Sequence, residues 1–201
     1  MITIIDYRAG NLASVQKALT HLGFESMITQ DPDAVRRAEK ILLPGVGHFS
    51  ATARLEQTGV RQAIEEAIGR GVPFMGICVG MQWLFAGSTE APDVKGLGCF
   101  EGSCVRFETE LKVPHVGWNQ IARTHEGDNS RLLRGVEQDA FVYYTHSYHA
   151  PVVPGVMATT HYGEDFAACV ERDNVYGVQF HPEKSGCAGL QMLKNFCEVR
   201  A

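Results

Sequence analysis

The chain has 201 residues, with 45% hydrophobic and 20% charged positions, enough apolar material for a packed core and too little charge for disorder. Its net charge of −5 argues against a nucleic-acid or anionic-membrane partner. No apolar run reaches the roughly 18 residues that span a bilayer, and the N-terminus carries no basic-then-apolar leader. Six cysteines without a CxxC pair or zinc-finger spacing read as reduced thiols in a cytoplasmic protein, with no metal and no cofactor assigned.

The first element is a β-branched strand, MITIID (1–6). NLASVQKALTHLGF then places Leu12, Val15, Leu19 and Leu22 at helical spacing, with Asn11 as the expected N-cap and Gly23 as the stop. FESMIT (24–29) reads as a second strand and KILLPGVG (40–47) as a buried third. A single helix is expected over about 51–69, with Leu55, Ile64 and Ile68 on one face. VPFMGIC is the next strand. This alternation predicts an α/β fold, a mostly parallel central sheet with flanking helices. From about 94 to 181 the texture changes to successive strands: GCFEGSCVRF, HVGWNQI, AFVYYTHSYHA, GVMATTHY and FAACVERDNVYGVQF. Antiparallel or mixed additions to the sheet are expected there. GLQMLKNFCEVR (189–200) closes the chain as a helix, with Leu190, Leu193 and Phe196 inward. No linker or repeat divides the chain, so residues 1–201 are expected to form one domain.

Open α/β sheets bind ligands at the carboxyl ends of their strands. Three segments fall at such predicted ends: Pro44-Gly45-Val46-Gly47, Gly76-Ile77-Cys78-Val79-Gly80, and His181-Pro182-Glu183. A cysteine between two glycines, after a strand and before a helix, suits a strained turn that lifts a nucleophile out of the sheet. The helix N-terminus would favour its thiolate. The same pattern also suits a buried cysteine at an ordinary strand-to-helix turn. His181 and Glu183 are two apart, so an extended segment puts them on one side. Glu183 could then orient the imidazole while the imidazole takes a proton from Cys78. The amide of Val79 and an amide of the Pro44–Gly47 loop, from Val46 or Gly47, are candidate oxyanion donors. His146 and His149 are three apart and read as poor co-ligands on opposite faces of a strand. His115 reads as a core or interface group, and His21, His48, His125 and His161 as incidental.

Together, GICVGMQ and QFHPEKS resemble the elbow and the base segment of the class I (triad) glutamine amidotransferases. DYRAGNLASV, LPGVGHF, HVGWN and YYTHSYHA resemble one subfamily of their glutaminase subunits, over nearly the whole chain from Ile4 to Phe196. The resemblance implies Cys78 as nucleophile, His181 as general base and acid, and Glu183 as orienting carboxylate. It implies that Gly47, Gln82, Ser147 and Tyr148 hold L-glutamine. It also implies that Trp118, Tyr143 and Lys184 meet a (β/α)8 synthase subunit in a heterodimer that receives the ammonia. A glutaminase subunit of another synthase and a catalytically silent docking subunit are the alternatives.

Overall fold

The computed structural model describes residues 1–199. The strands are β1 (Ile2–Ile5), β2 (Ser26–Thr29), β3 (Ile41–Gly45), β4 (Phe74–Cys78), β5 (Val105–Arg106), β6 (His115–Gln120), β7 (Ala122–Arg123), β8 (Phe141–His146), β9 (Tyr148–His149), β10 (Val156–Tyr162), β11 (Glu164–Arg172) and β12 (Val175–Val178). The helices are α1 (Leu12–His21), α2 (Pro32–Arg36), α3 (Ala53–Gln57), α4 (Val60–Gly69), α5 (Val79–Gln82) and α6 (Gly186–Glu198).

An eight-stranded sheet in the order β2-β1-β3-β4-β12-β11-β10-β7 forms the centre. Its first five strands pair in parallel, and β12-β11, β11-β10 and β10-β7 pair antiparallel. Every residue of β1, β3, β4 and β12 is buried, as continuous apolar strands covered on both faces must be. Helix α1 packs with α6, and α2 and α3 pack with α4. Antiparallel pairs β6–β8 and β5–β9 form separate two-stranded ribbons. The α/β reading and the mixed second half of the sheet are therefore what the chain adopts.

Several elements depart from expectation. The stretch 51–69 is two helices, because Gly59 takes a left-handed conformation (φ 74°) between α3 and α4. Asn11 stands at the N-cap position of α1 without a side-chain capping bond; its ψ of 61° is far from the extended backbone that aims a capping oxygen. FAACVERDNVYGVQF is not one strand but a hairpin, β11 and β12, turning at Asp173 (φ 52°). Only Val105–Arg106 of GCFEGSCVRF is a strand. Before it, the N–H groups of Leu97, Gly98 and Phe100 bond instead to the carbonyls of Trp83, Phe85 and Leu84. AFVYYTHSYHA breaks at Ser147 into β8 and β9. Helix α6 begins at Gly186, three residues before the expected start, and Arg200 of that expectation lies outside the described residues. Helix α2 was not anticipated. Its signal is Asp31, which accepts from the Asp33 N–H at 3.0 Å, followed by Pro32 at the first helical position.

Candidate active site

Register brings the three glycine- and histidine-bearing strand ends to one edge. In the β3–β4 pair Gly45 stands opposite Cys78, and in the β12–β4 pair Val178 stands opposite Ile77. The chain leaving β12 therefore passes the Cys78 turn as it runs through Gln179 to Glu183.

Cys78 has φ 54° and ψ −110°, a backbone conformation that few L-residues adopt. The turn exists because the chain can approach itself at the flanking glycines. A Cβ on Gly76 would overlap the Gly80 carbonyl, and one on Gly80 would overlap the Leu43 carbonyl of β3. The helix that follows is a single turn, Val79–Gln82, so its dipole offers less to a thiolate than a longer helix would.

His181 Nδ1 lies 3.0 Å from Glu183 Oε1, with both side chains buried. Nδ1 is thus occupied, and the buried Nε2, which has no hydrogen-bond partner among the described residues, remains for Cys78. Burial disfavours the charged imidazole, but the adjacent Cys78 sulfur and the Glu183 carboxylate outweigh it and raise the His181 pKa to about 10. The backbone is held as well. His181 N–H donates to Tyr143 O at 2.9 Å, and the Ser185 hydroxyl donates to His181 O at 2.6 Å while accepting from Tyr143 N–H at 2.9 Å. A thiol, an imidazole and a carboxylate in this sequence can take up, hold and return a proton during attack on a carbonyl carbon.

A cavity of about 260 Å³ opens beside the sulfur, lined in part by Val46, Gly47, Cys78, Val79, Gln82 and Glu90, and closed by Ser147 and Tyr148. All the residues expected to hold a substrate lie on it, as do the three expected oxyanion donors. Gln82 Nε2 donates to Tyr148 O at 2.7 Å and to Gln179 Oε1 at 3.1 Å. Both its protons are used, so its oxygen is the atom left for a ligand. Three functional candidates were not anticipated. Glu90 brings a carboxylate to the cavity and holds the loop after β3 through the Phe49 N–H at 2.7 Å. Gln179 is fully buried, and its Nε2 lies 3.7 Å from Cys78 Sγ. His146 lines the cavity and anchors its wall, Nδ1 donating to Tyr148 O at 2.9 Å.

His146 Nε2 is then an acceptor for His115 Nδ1 at 3.1 Å, and His115 Nε2 an acceptor for Asn119 Nδ2 at 3.4 Å. This line needs both rings neutral. Burial supplies that, lowering His115 to about 4 and His146 to about 3, where it outweighs the Tyr148 carbonyl. His115 is accordingly a core group. His146 and His149 are both buried and both pack on Phe107, rather than pointing to opposite sides, because the strand breaks between them. No cluster of three or more metal-ligating side chains occurs among the described residues.

Trp118, Tyr143 and Lys184 also converge. Trp118 and Tyr143 are paired across β6–β8 with ring centroids 6.1 Å apart, and Lys184 Nζ lies 5.8 Å from the Tyr143 ring. Val116 and Phe141 share that ribbon face by register and, like Trp118, are more than half exposed.

The family described as glutamine amidotransferase class-I matches residues 3–199. The chain belongs to the class I glutamine amidotransferases. Such an amidotransferase is a glutamine-hydrolysing enzyme, and this one falls with the glutaminase subunits of imidazole glycerol phosphate synthase, which serve histidine biosynthesis. It is 47% identical to the imidazole glycerol phosphate synthase subunit HisH of Moorella thermoacetica, over 98% of this chain and 94% of that one. It is 45% identical to the same subunit of Methanothermobacter thermautotrophicus, over 99% of this chain and 98% of that one. A crystal structure of a glutamine amidotransferase superposes with a TM-score of 0.76 at 17% identity, covering 98% and 97% of the two chains, a likeness of fold. No helix among the described residues of this amidotransferase is long and apolar enough to cross a membrane.

Proposed function

We propose that Cys78, His181 and Glu183 carry out glutamine hydrolysis in this chain, which works as one glutaminase domain of a cytoplasmic heterodimer with a (β/α)8 synthase subunit. The observation that carries the reading is the meeting of the three side chains at one sheet edge beside a cavity of amino-acid size. Glutamine enters with its α-ammonium toward the Glu90 carboxylate and the free oxygen of Gln82, and Gly47, Ser147 and Tyr148 close around it. The Cys78 thiolate adds to the side-chain amide carbon. N–H groups of Val79 and of Val46 or Gly47 receive the oxyanion, each such donor contributing about 3 kcal/mol. The C–N bond breaks as His181 gives its proton to the departing nitrogen, and ammonia leaves. Water, deprotonated by the same imidazole, then adds to the γ-glutamyl thioester. Glutamate departs and the thiol is restored.

Ammonia protonates on reaching water, so its release has to be coupled to its use. Trp118, Tyr143, Lys184, Val116 and Phe141 form the face that seats the barrel subunit. There the ammonia joins a phosphorylated ribonucleotide to give imidazole glycerol phosphate and an aminoimidazole carboxamide ribotide. The test is glutamate release by the full chain, alone and with a barrel subunit and its ribonucleotide. The native chain is expected to be slow alone and fast in the complex, and Cys78→Ser to be inactive in both. Equal turnover with and without the partner refutes the coupling, and an active Cys78→Ser refutes the assignment of the nucleophile.

A further inference from the structure

Gln179 and His181 lie two apart on the chain leaving β12, and Glu183 follows in a turn of 3-10 helix, Pro182–Lys184. His181 and Glu183 are absorbed by the mechanism above; Gln179 is not. Its side chain is fully buried, its backbone N–H continues the ladder to Ala168 O at 2.9 Å, and its carboxamide lies between Gln82 and the Cys78 sulfur.

The orientation of that carboxamide is determined by its neighbours. Gln82 presents an N–H to Gln179 Oε1, having given its other N–H to Tyr148 O. A flipped Gln179 would set two NH2 groups against each other, so its own NH2 must face Sγ. We propose that Gln179 is a positioning residue for the Cys78 sulfur: its amide N–H holds the side-chain rotamer and donates to the thiolate, and Gln82 fixes the direction of that bond.

A neutral thiol is a weak acceptor and a thiolate a strong one, so the bond gains most when the sulfur is charged. The other groups around the sulfur cannot do the same work. His181 favours the thiolate only while protonated, and it must give that proton away during the reaction. Glu183 and Glu90 are carboxylates and oppose a further negative charge. The Tyr7 hydroxyl, buried beside Gly45, makes no hydrogen bond to the sulfur or to any other described residue, and both ring nitrogens of His146 are occupied, by Tyr148 O and by His115. Gln179 supplies a donor that neither titrates nor competes for the proton.

The proposal rests on Cys78 being the nucleophile, and the test separates the two. Iodoacetamide alkylation of Cys78 in the full chain is followed by peptide mapping from pH 5 to 10, for the native chain, Gln179→Met and Gln179→Glu. Methionine keeps the volume and loses both hydrogen bonds. Glutamate keeps the bond from Gln82, loses the donor to sulfur and adds a charge that itself opposes the thiolate, so a shift supports the proposal only when the neutral Gln179→Met shows it too. Both variants should alkylate roughly tenfold more slowly than native at low pH, with the high-pH rate within about twofold of native. Gln179→Glu should also lower kcat while leaving KM within about twofold of native. A native profile in Gln179→Glu, whatever Gln179→Met does, overturns the proposal, because a residue that merely supports Gln82 is rescued by glutamate. Absence of Cys78 labelling in the native chain overturns the nucleophile assignment instead, and the present inference with it.

Discussion

Replacing Cys78 by alanine and by glycine should separate strain from chemistry. Alanine removes the sulfur and keeps the β-carbon at φ 54°, ψ −110°. Glycine removes the β-carbon too. At an ordinary buried position that last step is unfavourable: the unfolded chain gains freedom worth about 0.5–1 kcal/mol, and one buried methyl group is lost, about 0.8 kcal/mol more. At Cys78 the step also releases a backbone held outside the regions open to L-residues. Such a site stores about 1–3 kcal/mol, and the ψ here, far from the left-handed basin as well, places it toward the upper figure. Glycine should therefore be more stable than alanine by about 1 kcal/mol, a rise in Tm of about 2–4 °C for a chain of this size. Urea and thermal unfolding of the two variants measure it, with Ala168→Gly in the buried strand β11 as the ordinary case, expected to lose about 1–2 kcal/mol. If Cys78→Gly is less stable than Cys78→Ala by a comparable amount, the turn is not strained and the reasoning fails.

Glu90→Gln should raise the KM for glutamine about 10–100-fold with a smaller change in kcat, since an ion pair to the substrate ammonium is lost while the amide oxygen can still hold the Phe49 N–H. Glu171→Gln should cost about 3 kcal/mol in urea unfolding without touching the kinetics of the folded enzyme. That buried carboxylate, far from the cavity, accepts from Ser130 Oγ at 2.7 Å and Arg131 Nε at 2.8 Å, and from the Leu132 N–H. The histidines set opposite limits on pH stability. His181, raised to about 10, contributes fully below its unfolded value of about 6.5 and loses that contribution as pH rises through about 10. His115 and His146, lowered to about 4 and about 3, cost stability as pH falls below about 6.5, at about 1.4 kcal/mol per pH unit each, because only the unfolded chain takes up their protons. Urea unfolding from pH 4.5 to 10 should therefore peak near pH 6–7, and stability that holds level down to pH 4.5 contradicts the buried neutral pair.

The parallel half of the sheet and the Cys78–His181–Glu183 line were legible because both depend on local rules. Apolar runs ending in glycine mark buried strands, and the two-residue spacing pairs His181 with Glu183, although a 3-10 turn over Pro182–Lys184 brings them together and not the extended segment expected. What escaped depends on distant pairings. Gln179 reads as one more polar residue beside an apolar strand until β12 is set next to β4. Glu90 sits in a loop whose course follows from bonds back to residues 83–87, and no periodicity reports those. His146 looked bland because its role comes from its neighbour His115, which is 31 positions earlier and on the opposite strand of a ribbon. The break at Gly59 was in plain view as a glycine, but the apolar spacing of Leu55, Ile64 and Ile68 runs across it and suggested one helix.

The Ser185 hydroxyl clasps the Tyr143 amide and the His181 carbonyl at once, while the His181 amide reaches back to the Tyr143 carbonyl. The exposed aromatic ribbon and the imidazole are therefore bolted to the same bracket, with no slack length of chain between them. Trp118, packed on the Tyr143 ring, is thus two hydrogen bonds away from the backbone that carries the imidazole.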